Sequence, residues 1–338
     1  MRTMAGQELP GTAVGQAQRL RRRSNHLARR ITILWRSNAG SDFASSFTAI
    51  MPALFGSLDR AQLDTATDSV NTTPETMREL DGHPLHAHYP VDPRQWVGVD
   101  GAGYDTLDTM WGAVVAGKRA VARGIDEGVA LKVIETELEQ RARTILADTS
   151  RSASSMAARS RHHTCTYVRA LTPPSCGRCV ILAGQLSGMR PFERHPRCDC
   201  IAVYASRMPE GACADPGQYL DGLDDHELAH ILGSRANARA YRDGANLNAL
   251  VNTYRRKGGV RAAQVYDRTI KYTTESTTRR GYAAHRMINA GYAKSFTKNG
   301  GRYTRVDRPR LMPETIYQIA GDDHDKAIRL LHNYGWLG

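Results

Sequence analysis

Between residues 176 and 200 the chain carries Cys176, Cys179, His195, Cys198 and Cys200, in the run S-C-G-R-C-V-I-L-A-G … F-E-R-H-P-R-C-D-C. Cys176 and Cys179 form a C-x2-C pair. His195 and Cys198 form an H-x2-C pair, with Cys200 two positions on. A tight turn can offer two ligands to one ion, and two such turns build a tetrahedral site. Gly177 and Arg178 inside the first pair and Pro196 inside the second suit turns. Thiolates with an imidazole suit zinc, which has no redox chemistry to manage. A structural Zn2+ is therefore the expected cofactor. Five candidates for four places leave one spare. Cys198 and Cys200 fall on the same side of an extended strand, so either completes the set.

Two plainer readings compete: a disulfide within the cluster, or a group of buried thiols. Residues 1–18 lack an apolar core of signal-peptide length, which predicts a chain kept under reducing conditions, where disulfides are disfavoured. Cys165 and Cys213 stand apart and read as small apolar residues.

The 338 residues allow two or three domains. No apolar run approaches the roughly 20 residues of a membrane span, so no membrane partner is expected. The expected fold is mainly α and multidomain, with a small α+β zinc-knuckle-like module. Residues 1–146 form a helical region, 147–206 the Cys/His module, and 207–338 a helical and basic region. Leu20, Leu27, Ile31 and Leu34 recur at helical spacing among arginines. Residues 39–105 hold five prolines and the run V-G-V-D-G-A-G, which predicts short helices joined by loops. Residues 107–146 predict two helices broken near Gly124–Gly128, and 150–162 a further one. Strands are expected at 164–172 and 200–205, with a helical turn at 179–184. Residues 225–252 read as helical, and two short helices, Pro313–Ala320 and Asp323–Tyr334, close the chain.

The formal net charge is +12, and it is concentrated. Residues 255–310 hold 15 Lys and Arg against three acids, a balance of +12 by themselves. Such a segment points to a polyanion, most often nucleic acid. Arg255, Arg256, Lys257, Arg261, Arg279, Arg280, Arg302 and Arg305 are the candidate contacts, interleaved with tyrosines that can stack on bases. Binding to double-stranded DNA would then be nonspecific and salt-sensitive. A solvated surface, or a face that docks on an acidic protein, is the plainer alternative.

An enzyme reading rests on His226–Glu227–Leu228–Ala229–His230. This is H-E-x-x-H, which on a helix sets two imidazoles on one face and a carboxylate ready to take a proton from zinc-bound water. Gly233 fits the longer pattern, but Ala236 stands where its third ligand belongs. Asp224, Asp225 and Glu227 also read as the acidic first turn of an ordinary helix. Glu275 is another conceivable ligand. His162 and His163 invite a nuclease reading, but no set of acids accompanies them. No G-x4-G-K-[ST] loop occurs, so ATP-driven chemistry is not expected. No residue is assigned a catalytic role.

The residues C-G-R-C-V-I-L-A-G and H-P-R-C-D-C resemble the phage Mu F-like minor head protein family. A-R-A-Y-R-D-G-A-N-L-N-A-L-V-N (238–252), T-T-E-S-T-T-R-R-G (273–281) and the stretch 308–331 are similar to the C-terminal region of members from phages of actinobacteria. The resemblance covers roughly residues 150–338. It implies a minor capsid protein at or near the portal vertex of the virion, present in the host cytoplasm before assembly. Its expected partners are the portal protein and the capsid, and its expected role is head morphogenesis and DNA packaging or ejection. It carries the metal role to Cys176, Cys179, His195, Cys198 and Cys200. The enzyme alternative is a capsid-maturation (prohead) protease or zinc metallopeptidase using His226, Glu227 and His230.

Overall fold

The structure is a computed structural model that describes residues 2–4, 7–172, 175–188, 192–195, 198, 200–209, 211–255, 258–298 and 302–338. It is mainly helical, with small antiparallel sheets. The chain divides into two compact units, residues 1–173 with 182–216, and residues 174–181 with 217–338.

The first unit opens with a short hairpin, β1 (Arg2–Met4) and β2 (Gln7–Leu9). Four long helices follow: α1 (Gly11–Asn38), α2 (Phe43–Asp81), α3 (Thr106–Val121) and α4 (Glu127–Arg159). As expected, α1 buries Leu20, Leu27 and Ile31, and Leu34 packs partly against the same core. The break before α4 falls where the glycines put it, and Asp126 caps the new helix by accepting from the backbone N–H of Gly128 and Val129. Trp35, Phe47, Ile50, Leu54, Met110, Val114, Ile134 and Leu138 fill the space between the helices.

Two expectations need correction here. Residues 43–81 are not short helices and loops but one helix of 39 residues, with Pro52 and Pro74 inside it. An internal proline costs about 3 kcal/mol through a lost hydrogen bond and a clash. Pro52 lies on the exposed face, where the carbonyl it leaves unbonded can turn to water. Burial of Phe43, Phe47, Ile50, Leu54, Leu58 and Met77 on the other face offsets the cost. Much of the rest of the buried face is polar, and several of its groups are paired. Gln16 donates to the hydroxyls of Ser69 and Ser154, and Gln62 donates to the carbonyls of Trp96 and Val99. Second, residues 150–159 are no separate helix. They continue α4, which runs across the boundary expected after Leu146.

β3 (Thr166–Ala170) pairs antiparallel with β4 (Ile201–Ala205), with Val168 opposite Val203. One face of this ribbon, with Val168, Ala170, Ile201 and Val203, joins the helical core. The other, with Tyr167, Ala202 and Tyr204, packs on Met77, Ala158 and Cys165. Between the two strands in the chain lies α5 (Gly177–Ala183).

The second unit carries short helices: α6 (Pro216–Asp221), α7 (Asp225–Leu232), α8 (Arg235–Arg242) and α9 (Leu247–Asn252). The basic segment that follows is largely β-structure. β5 (Val260–Val265) and β6 (Arg268–Thr273) form a hairpin, and α10 (Tyr282–Asn289) follows it. β7 (Phe296–Thr297) pairs with β8 (Arg305–Val306), and β9 (Arg310–Leu311) adds to β6. The expected terminal helices are α11 (Pro313–Ala320) and α12 (His324–Asn333). Arg310, counted with the surface charge, is instead fully buried. Its guanidinium stacks 3.5 Å from the Trp336 ring centroid and donates to the carbonyls of Tyr334 and Gly335.

Candidate metal centre

The two cysteine pairs leave and enter regular structure, and this fixes their backbones. Cys176 precedes α5, whose first turn is closed by the Val180 N–H donating to the Cys176 carbonyl at 3.1 Å. Gly177 is required by close approach: a Cβ there would lie 2.7 Å from Val251 Cγ2. The second pair is turned by the Cys198 N–H, which donates to the His195 carbonyl at 3.1 Å. Pro196 lies outside the described residues.

Ligand atoms gather in two overlapping groups. Those of Cys176, Cys179 and His195 lie within 4.8 Å of one another, and so do those of Cys179, Cys198 and Cys200. Cys179 belongs to both groups. A tetrahedral zinc with Zn–S bonds of about 2.3 Å sets its sulfurs about 3.8 Å apart, so the spread fits a cage able to close on one ion. Cys179, Cys198 and Cys200 are buried, while Cys176 and His195 face solvent more. The donor set and its spacing therefore fit a metal ion. Cys165 and Cys213 lie outside both groups, and burial pushes each thiol up.

A shell of arginines that the sequence did not single out surrounds the second pair. Arg151 of α4 is buried; it donates to the carbonyls of Cys200 and Cys198 and pairs with Asp148 at 2.9 Å. Arg194 also reaches Asp148, at 3.0 Å. Burial nevertheless pushes the Asp148 carboxyl up, because desolvation outweighs its two cationic neighbours. Arg169 of β3 is buried and lies 3.3 Å from the sulfur of Cys198. Phe192 sits beside both guanidiniums, 4.6 Å from Arg151 and 3.8 Å from Arg169. The one signal for this shell was an Asp148–Arg151 pair three residues apart in an Ala/Ser-rich helix.

The H-E-x-x-H run does lie on a helix, α7. There the Asp224 side chain accepts from the Glu227 N–H, and the Glu227 carboxylate accepts from the Asp224 N–H. This capping box gives the acids a structural task. Among the described residues, His226 and His230 join no group of three able to hold a metal, and neither do His162 and His163. Glu275, the conceivable third ligand, lines a cavity of arginines instead.

That cavity, of about 580 Å3, gathers Arg255, Arg279, Arg280, Arg302 and Arg305 with Tyr303. Five of the eight candidate DNA contacts thus meet at one place. Arg261 lies apart, exposed on β5, and Arg256 and Lys257 lie outside the described residues. A second groove, of about 690 Å3, runs between α1 and α2, with Leu27, Ala53 and Ala61 along it and Arg22, Arg30 and Arg60 beside it.

No helix among the described residues is long and apolar enough to cross a membrane. No protein-family model, curated protein or solved structure matches this chain.

Proposed function

We propose that this chain is a minor capsid component of a tailed phage, of the Mu F-like type, held near the portal vertex. The observation that supports this reading is the gathering of Cys176, Cys179, His195, Cys198 and Cys200, the residues on which the resemblance rests, between two paired strands. The ion is zinc and its role is structural: thiolates and an imidazole at this spacing suit it, and closed ligand cages stabilise folds rather than activate water. Cys179 is its central ligand. Cys176, His195 and one or both of Cys198 and Cys200 complete the set. The basic second unit meets DNA through phosphate contacts that carry no sequence information. The groove between α1 and α2 offers the N-terminal helices a surface for portal or capsid attachment. No observation favours the prohead-protease or metallopeptidase alternative.

Quantitative mass spectrometry on purified particles tests the assignment. A few copies per particle, retained when the portal is isolated, are expected. Absence from particles, or loss of capsid-protein processing in a Glu227→Gln phage, would remove the structural reading. Metal content per chain tests the site: about one zinc, lost in Cys179→Ser and kept in His226→Ala.

A further inference from the structure

The arginine cavity has a shape that a duplex-binding surface does not need. Its walls come from three separate stretches of chain: the exit of α9 with Arg255, the loop 274–280 after β6, and residues 302–305 entering β8. Five arginines and a single acid, Glu275, line it. The loop is clamped. The carbonyl and hydroxyl of Ser276 accept from the Ala284 and Ala283 N–H groups, and Ser276 adopts a φ of 60°. A Cβ at Gly281 would stand 2.0 Å from the Ser276 carbonyl, so only glycine permits this closure. Arg305 donates to the Thr274 carbonyl at 2.7 Å, which pins one side of its guanidinium. Tyr303, half exposed, carries Arg302 at 5.5 Å and Arg305 at 6.0 Å from its ring centroid.

We infer that this cavity is a seat for one unstacked nucleotide of a single-stranded polynucleotide: phosphate on the arginines, base on the Tyr303 ring. The volume lies within the roughly 300–1,000 Å3 of sites that enclose small ligands. A duplex keeps its bases stacked inside and could present only phosphates to such a concavity. A single strand presents both a phosphate and a bare base face, and guanidiniums beside an aromatic ring are the groups that take both. Recognition is independent of sequence, since every base has such a face. The inference deepens the DNA-contact reading above and rests on it.

Fluorescence anisotropy on the full chain separates the two, using a labelled short oligothymidylate and a blunt duplex of the same length. The single strand is expected to bind more tightly. Tyr303→Ala should weaken it about 5- to 100-fold while leaving the duplex nearly unchanged. Tyr303→Phe should keep the affinity, which assigns the effect to the ring rather than the hydroxyl, while the unchanged duplex affinity of Tyr303→Ala excludes a folding defect. The double change Arg279→Ala/Arg302→Ala should weaken the single strand more than Arg261→Ala/Arg268→Ala on the hairpin. If the duplex binds and Tyr303→Ala changes neither affinity, the DNA contact stands and the nucleotide seat is wrong. If neither probe binds, both fall.

Discussion

The guanidinium of Arg169 lies 3.3 Å from the sulfur of Cys198. A buried cation beside a thiol favours the ligating thiolate, and an N–H donor to a bound sulfur tunes and orients it. The same guanidinium is stacked on Phe192 at 3.8 Å, so its position is set by packing as well as by charge. Arg169→Met keeps most of the volume and removes the donor. Metal affinity should fall about 10- to 100-fold while the chain still folds with metal in excess. Competition against a chromophoric chelator measures it. An unchanged affinity would show that Arg169 acts on packing alone.

Because Cys179 belongs to both ligand groups, its loss should be the most severe single change at the centre. Cys179→Ser should abolish stoichiometric metal binding, and the β3–β4 ribbon should become protease-sensitive. Cys165→Ser and Cys213→Ser should leave metal content unchanged. Cys198→Ser and Cys200→Ser should divide: the spare ligand's variant keeps its metal and the other loses it. Metal retained in the double change Cys198→Ser/Cys200→Ser would mean that the site closes on Cys176, Cys179 and His195 with water.

The Cys/His cluster and its flanking strands were legible because a thiol at fixed spacing has few other uses, and because Val168 and Val203 sit in short apolar runs. The break between α3 and α4 was legible from its glycines. Helix α2 was not. Gln62, Thr65, Ser69, Thr72, Thr73 and Thr76 line its buried face, and such residues read as surface until the elements packed against them are known. Arg151, Arg169 and Arg310 were hidden for a related reason. A charge in a sequence reads as solvent-facing, and only tertiary contacts supply the carbonyls and rings that make burial tolerable. The arginine cavity joins residues as far apart as Arg255 and Arg305, which no local pattern connects.

The two readings of the H-E-x-x-H run give opposite outcomes for one conservative change. Gln serves at the third position of a capping box as Glu does. Glu227→Gln should therefore leave the thermal midpoint nearly unchanged, within about 0.5 kcal/mol in stability, and leave capsid-protein processing intact. Asp224→Ala removes the cap itself and should cost about 1 kcal/mol. A proteolytic defect in Glu227→Gln with an unchanged melt would restore the peptidase.

Arg310 gives a pH test of how the second unit tolerates a buried charge. Burial pushes its guanidinium down to about 9, and at neutral pH it remains charged. Two carbonyls and the Trp336 face hold it there. Arg310→Lys keeps the charge but cannot span both carbonyls or stack its plane on the indole. It should cost about 2–4 kcal/mol near neutral pH. A lysine buried here has its folded pKa lowered below its unfolded value of about 10.4. Between those two values the unfolded chain binds more protons, so stability rises with pH. The gap in melting temperature between Arg310→Lys and the parent should therefore narrow as pH is raised from neutrality toward about 9, the range in which Arg310 itself stays charged. A gap that stays constant over that range would mean that the lysine ammonium reaches solvent and that burial of the charge at this position is not obligatory.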